Sequence, residues 1–327
     1  MRSVGRIAAV MAAVAMIAVF TVSFLQEKKE DQEKEAEHVR MESELRPMDL
    51  ELRKLNQDLD SLEKEQEKEI QGMGTLVFLF TNLDEILYTD IFPQMKSYGF
   101  VGMVTLSPTI FPGQEGCLNR EQFDELLDAG WKCALRWEND LDSEDWVSSC
   151  RELVKEVGIP VPEVVYFPEN TYYSGLDSFL TVQHFSVAIH HGEEDISLIP
   201  IEAGKGIWYP GAMPWEQDGI ISTTSDMIAQ RGNLVQTIGT DTVAEMYEKD
   251  TYIYMLNRIR DYCQSGDLLV TDILGAREYR RNLEAERGAI EADYESRRAQ
   301  LEERIDSLNR EMEAVRQRYW QEWEQRE

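Results

Sequence analysis

Between residues 75 and 273, short apolar runs alternate with amphipathic ones, and this alternation limits the fold more than any other feature of the chain. The runs 75–81 (TLVFLFT), 100–106 (FVGMVTL), 131–137 (WKCALRW) and 163–167 (EVVYF) are rich in β-branched and aromatic residues and read as strands. Further strands are expected at 185–190, 206–209, 219–223, 235–239 and 268–273. Helical periodicity fills the gaps at 91–98, 119–129, 144–157 and 241–264. Asn119 is placed to cap the second of these helices, and Gly130 and Gly158 to end the second and third. Strands joined through single helices of this length form parallel βαβ units. Seven or more of them point to an α/β fold, a (β/α) barrel of TIM type, complete or distorted. Its chemistry would sit at the carboxyl ends of the strands, here 81–85, 136–142, 168–173 and 190–194.

The flanks are different in kind. Residues 26–73 and 277–327 are rich in Glu, Lys, Arg and Leu and almost free of Gly. Leu45, Leu52 and Leu59 recur at seven-residue spacing, as do Met41, Met48, Leu55 and Leu62. In the tail, Tyr294, Leu301, Leu308 and Val315 form one such set, and Ile305, Met312 and Tyr319 another. This is a coiled-coil pattern. Pro47 is expected to interrupt the first helix, which would restart there. As helices the two flanks would reach roughly 70 and 75 Å, long enough to pair antiparallel or to oligomerise separately. The amino terminus adds 19 uncharged, mostly apolar residues at 7–25, preceded by Arg2 and Arg6. An uncleaved transmembrane anchor over 1–25 is the favoured reading, because the run is long and ends without a good cleavage site. A cleaved signal peptide is the rival. Either expectation exports the chain beyond Leu25; the anchor gives a cell-membrane protein with its amino terminus cytoplasmic and its barrel outside.

The net charge is −29, of which −21 falls on residues 72–276. A surface this acidic repels phosphate polymers and excludes nucleic acid as a natural partner. It also disfavours anionic wall polymers, while tolerating a neutral or cationic glycan. The four cysteines, Cys117, Cys133, Cys150 and Cys263, form no C-x-x-C pair, so nothing supports a structural zinc site or a disulfide.

The order of parts over 74–276 resembles the polysaccharide deacetylase (NodB-homology) family. PQMKSYGF at 93–100 leads into a strand, FDELLDAGWKCALRWEND at 123–140 carries the Ala-Gly turn, and YFPENTYYSG at 166–175 keeps a Phe-Pro outline. YMLNRIRDYCQSGDLLVTD at 254–272 fits the last unit. The resemblance implies hydrolysis of an acetyl group on a glycan. One Asp acts as base, and a divalent metal, such as zinc, is held by an Asp and two His. Here the base position is Thr81, and the ligand positions are Asn82, Arg136 and Asp140. Thr is no base near neutral pH, Asn is a weak ligand, and Arg is a permanent cation. Arg136 would fill the metal's place by pairing with Asp140 or Asp84.

Substitute groups stand near other strand ends: Asp84 and Glu169 for the base, His190 and His191 for the metal, and Asp142 besides. Each is read first as a capping or solvated residue. Aromatic faces that would suit a sugar ring are Tyr172, Tyr173, Trp208, Tyr209 and Trp215, although packing is the commoner fate of such residues. The leading expectation is a non-hydrolytic deacetylase-like protein that needs no cofactor. It would bind a cell-envelope or exopolysaccharide glycan, or organise cell-envelope proteins. The alternatives are a metal-dependent deacetylase with atypical ligands and a coiled-coil spacer.

Overall fold

The computed structural model describes residues 2–138, 142–169, 176–191, 207, 211–214, 224–225, 228–229, 232–240, 243–244 and 250–324. The side chains of 2–19, 177, 191, 211, 213–214 and 233–234 lie outside that description. The chain divides into two compact units, residues 1–67 with 290–327, and residues 68–289.

The first unit is built from two helices, α1 (Arg2–Gln71) and α7 (Ile273–Glu324). Glu44, Glu51, Glu63 and Glu65 on α1 meet Arg318, Arg304, Arg298 and Arg297 on α7. One set of numbers rises as the other falls, so the helices pair antiparallel. Leu45, Leu308, Met312 and Val315 are buried between them, with Met41, Met48, Leu52, Leu55 and Tyr319 packed alongside. All nine belong to the sets at seven-residue spacing, so that part of the pattern faces the partner helix. The expected break at Pro47 does not occur: α1 runs through it. Pro47 is exposed, and its neighbours Leu45 and Met48 both pack on α7, which holds the helix across the missing N–H bond.

A second expectation is also corrected. Among the described residues no helix is long and apolar enough to cross a membrane. The single-pass arrangement over 1–25, with the cell-membrane localisation drawn from it, therefore falls. The apolar run belongs to one continuous 70-residue helix that is otherwise charged.

The second unit is a parallel sheet wrapped by helices. Its strands are β1 (Gly74–Phe80), β2 (Met103–Leu106), β3 (Lys132–Arg136), β4 (Val164–Phe167), β5 (Val187–His191), β6 (Gly211–Pro214), β7 (Asn233–Ile238) and β8 (Leu268–Val270). Neighbours follow chain order from β2 to β7, and β7 pairs with β1 along its whole length. The other edge of β1 is shared. Its first half pairs with β8 and its last two residues with β2, so the sheet closes as a distorted barrel of TIM type. Every pairing among these strands is parallel.

Alternation along the strands sorts two cores. Val77, Leu79, Met103, Ala134, Val164, Tyr166, Val187, Ile189, Ala212 and Val235 fill the interior, joined from α7 by Ile273 and Ala276. The opposite faces, with Leu76, Phe78, Phe80, Val104, Leu135, Val165 and Phe167, pack under the helices. Those helices are α2 (Phe92–Tyr98), α3 (Arg120–Asp128), α4 (Ser143–Val157), α5 (Leu176–Val182) and α6 (Thr251–Gln264). Asn119 caps α3 through a reciprocal pair with Gln122. Gly158 ends α4 in the left-handed region, at φ 63°. Cys133 and Cys150 are free thiols, each pushed up to about 12 by burial.

Three expected elements differ. The strand expected at 206–209 does not form at Ile207, and β6 lies instead at 211–214. The strand expected at 219–223 lies outside the described residues. The helix expected at 241–264 is helical at 243–244, turns at Asp250, φ 55°, and is helical again over Thr251–Gln264.

Candidate functional site

The carboxyl end of β1 is a hydrogen-bonded chain of small polar groups. The Thr81 hydroxyl lies 3.3 Å from Asn82 Oδ1 and 3.4 Å from the Ile238 carbonyl. Asn82 Nδ2 donates to Thr240 Oγ1 at 3.3 Å. Thr240 Oγ1 in turn donates to Asp84 Oδ2, and the Leu87 N–H donates to Asp84 Oδ1 at 3.3 Å. The Thr105 hydroxyl reaches the Thr81 carbonyl at 3.3 Å. Both oxygens of Asp84 are thus occupied. Glu85 points into solvent.

The ends of β2 and β3 carry a second chain. Thr109 lies between Ser107, 3.0 Å away, and Glu138, to which its hydroxyl donates at 3.0 Å. Arg136 ends β3 on the interior parity of Ala134, half-buried, beside Tyr166 in register. Tyr166 is itself buried and hydrogen-bonded to Thr237 on β7. Burial pushes its phenol up, against the opposing pull of the Arg136 charge and the Thr237 bond.

The sequence-derived candidates separate on this frame. Thr81, Asn82 and Asp84 come together, and Arg136 lies on the interior face. No ion pair joins Arg136 to Asp84 among the described residues. Asp142 is the cap of α4, accepting from the Glu144 and Asp145 N–H groups at 3.1 and 2.9 Å. Glu169 is exposed. His190 shares the parity of Ala188, which packs in the layer beneath the helices, rather than that of Val187 and Ile189 in the interior. Its buried Nδ1 has no partner among the described residues. Asp140, Tyr172, Tyr173, Trp208, Tyr209, Trp215 and the side chain of His191 lie outside the described residues.

The donor set does not fit a metal. An amide and a guanidinium stand at two of the three positions that the resemblance assigns to ligands, and no group of three or more His, Cys, Asp or Glu side chains is placed to hold one among the described residues. Sequence reasoning missed Thr240 and Thr237. Their signal was present, since Thr237 lies within the strand expected at 235–239 and Thr240 directly follows it.

No family model matches the chain, and no curated protein matches it in sequence. Solved structures do resemble it. One from Mycobacterium smegmatis, described as a polysaccharide deacetylase, is 12% identical over 65% of this chain and 92% of its own, with a TM-score of 0.44. A family 4 carbohydrate esterase from Streptomyces lividans, in complex with acetate, is 11% identical over 62% of this chain and 93% of its own, TM-score 0.41. The Puue allantoinase is 9% identical over 63% and 89%, TM-score 0.42. At such identities and scores these likenesses say nothing of what this chain does.

Proposed function

We propose that the 68–289 unit is a carbohydrate-recognition module of deacetylase-like fold that does not hydrolyse its ligand. The observation that carries this reading is the occupation of Asp84. The acid nearest the end of β1 accepts from Thr240 and from the Leu87 N–H, and the group where a base would stand is a hydroxyl, Thr81. A general base must be free to aim a lone pair at the proton it takes; Thr81 is no base near neutral pH, and Asp84 is held in place by a donor on each oxygen. Hydroxyl and amide groups at the strand ends, from Thr81, Asn82, Thr109 and Thr240, supply the mixed donors and acceptors that sugar hydroxyls require.

The test is a glycan array probed with the full-length chain, followed by calorimetric titration of the best ligand. Saturable binding of one glycan class is the expected result; binding to none removes the reading. The long helical pair of the other unit favours a second reading, a spacer whose barrel makes protein contacts only. An empty array would select that one.

A further inference from the structure

Among the described residues, Arg136 is a cation flanked by neutral groups at the carboxyl end of β3. Arg136 has Tyr166 beside it in register on β4. Continuing the β2–β3 register by one residue from Leu106 and Leu135 places Ser107 on its other side. Both neighbours are buried and uncharged. The ion pairs described in this unit are made by Lys68, Lys96, Arg120, Arg258, Arg281 and Arg287, and none of them by Arg136. Asp84 is engaged with Thr240 and Leu87. A guanidinium cannot shed its charge. Half-buried and without an ion pair among the described residues, it keeps part of a desolvation cost unrecovered. A planar carboxylate matches its paired N–H donors better than a sugar hydroxyl does.

We propose that Arg136 receives the carboxylate of a single acidic sugar, so that the ligand of this barrel is a sparsely carboxylated glycan. The proposal rests on the glycan-recognition reading and names its ligand class. The surrounding acidity sharpens it. With −21 on residues 72–276, a polyanion is repelled on approach. That long-range field fades over about 8 Å at physiological salt, whereas a guanidinium–carboxylate pair acts in contact. One carboxylate between neutral sugars satisfies both conditions.

The experiment titrates the full-length wild-type chain with three trisaccharides. The first carries glucuronate between two N-acetylglucosamine units, the second is its methyl ester, and the third has a neutral central sugar. The acid form should bind on the order of tenfold more tightly than the other two, as expected for a hydrogen-bonded charge. Arg136→Gln should bring all three to one affinity, and Arg136→Lys should retain part of the preference. The wild-type comparison of acid and ester requires no variant to fold. Equal binding of acid and ester overturns the proposal, because Arg136 would then spend its charge within the protein, and it leaves glycan recognition standing. Failure of all three to bind, together with an empty array, overturns the proposal and the glycan reading alike.

Discussion

Asp84 has a donor on each oxygen, the Thr240 hydroxyl on one and the Leu87 N–H on the other. Asp84→Asn keeps the shape but turns one acceptor into a donor, facing either Leu87 N–H or a Thr240 oxygen that already accepts from Asn82. The cost is expected to be about 1–3 kcal/mol, read from urea unfolding. An unchanged midpoint would show that the chain Asn82–Thr240–Asp84 is not structural. Cys133 gives a prediction in pH. Burial raises its thiol from 9.0 to about 12 in the folded chain, so the folded state holds that proton more tightly than the unfolded one. The resulting stability is complete below pH 9 and lost as pH rises toward about 12. Cys133→Ala should reduce the alkaline fall in stability over that window; Cys150, raised for the same reason, should leave a fall of its own. An unaltered alkaline limb in the Cys133 variant would contradict its burial.

At the scale of elements, packing decides where local rules and tertiary contacts disagree. Proline costs an interior helix up to about 3 kcal/mol, yet α1 continues through Pro47 because Leu45 and Met48 are seated on α7. Pro47→Ala should therefore raise the unfolding temperature of the helical pair. Leu308→Ala should lower its stability by about 2–5 kcal/mol, since Leu308 is 1% exposed in the seam. Arg318→Gln, at an exposed ion pair with Glu44, should leave it nearly unchanged. Circular dichroism during heating reads all three; a larger loss for Arg318→Gln than for Leu308→Ala would reverse the assignment of seam and rim. β6 makes the same point in the sheet. Its sequence, Gly-Ala-Met-Pro, has no β-branched or aromatic residue, and it is a strand because β5 and β7 pair with it on either side.

For the whole molecule, legibility followed the strength of periodic signals. The strands at 74–80, 132–136 and 164–167 were readable because apolar residues there run together and end at Gly, Pro or polar groups. Parallel closure followed from their alternation with helices. β6 was not readable, since nothing in residues 211–214 distinguishes a strand from a loop until its neighbours exist. The site was readable in part. Thr81, Asn82 and Arg136 could be placed by their positions at strand ends, whereas Thr240 and Thr237 matter only through contacts distant in sequence: Thr240 reaches Asp84, 156 residues away, from the end of the neighbouring strand β7, and Thr237 reaches Tyr166 on β4. The apolar run at 7–25 shows the opposite hazard. Local composition gave a strong expectation of a membrane span, and among the described residues no helix is long and apolar enough to make one. The proposed reading turns on the state of one carboxylate, Asp84, and the chemistry of two neighbours, so the decisive measurement is enzymatic. Purified full-length chain, supplied with zinc, is assayed for acetate release from N-acetylated chitooligosaccharides. Release no faster than a protein-free blank is the expected result. Sustained acetate release that is lost in Asp84→Asn would contradict the account.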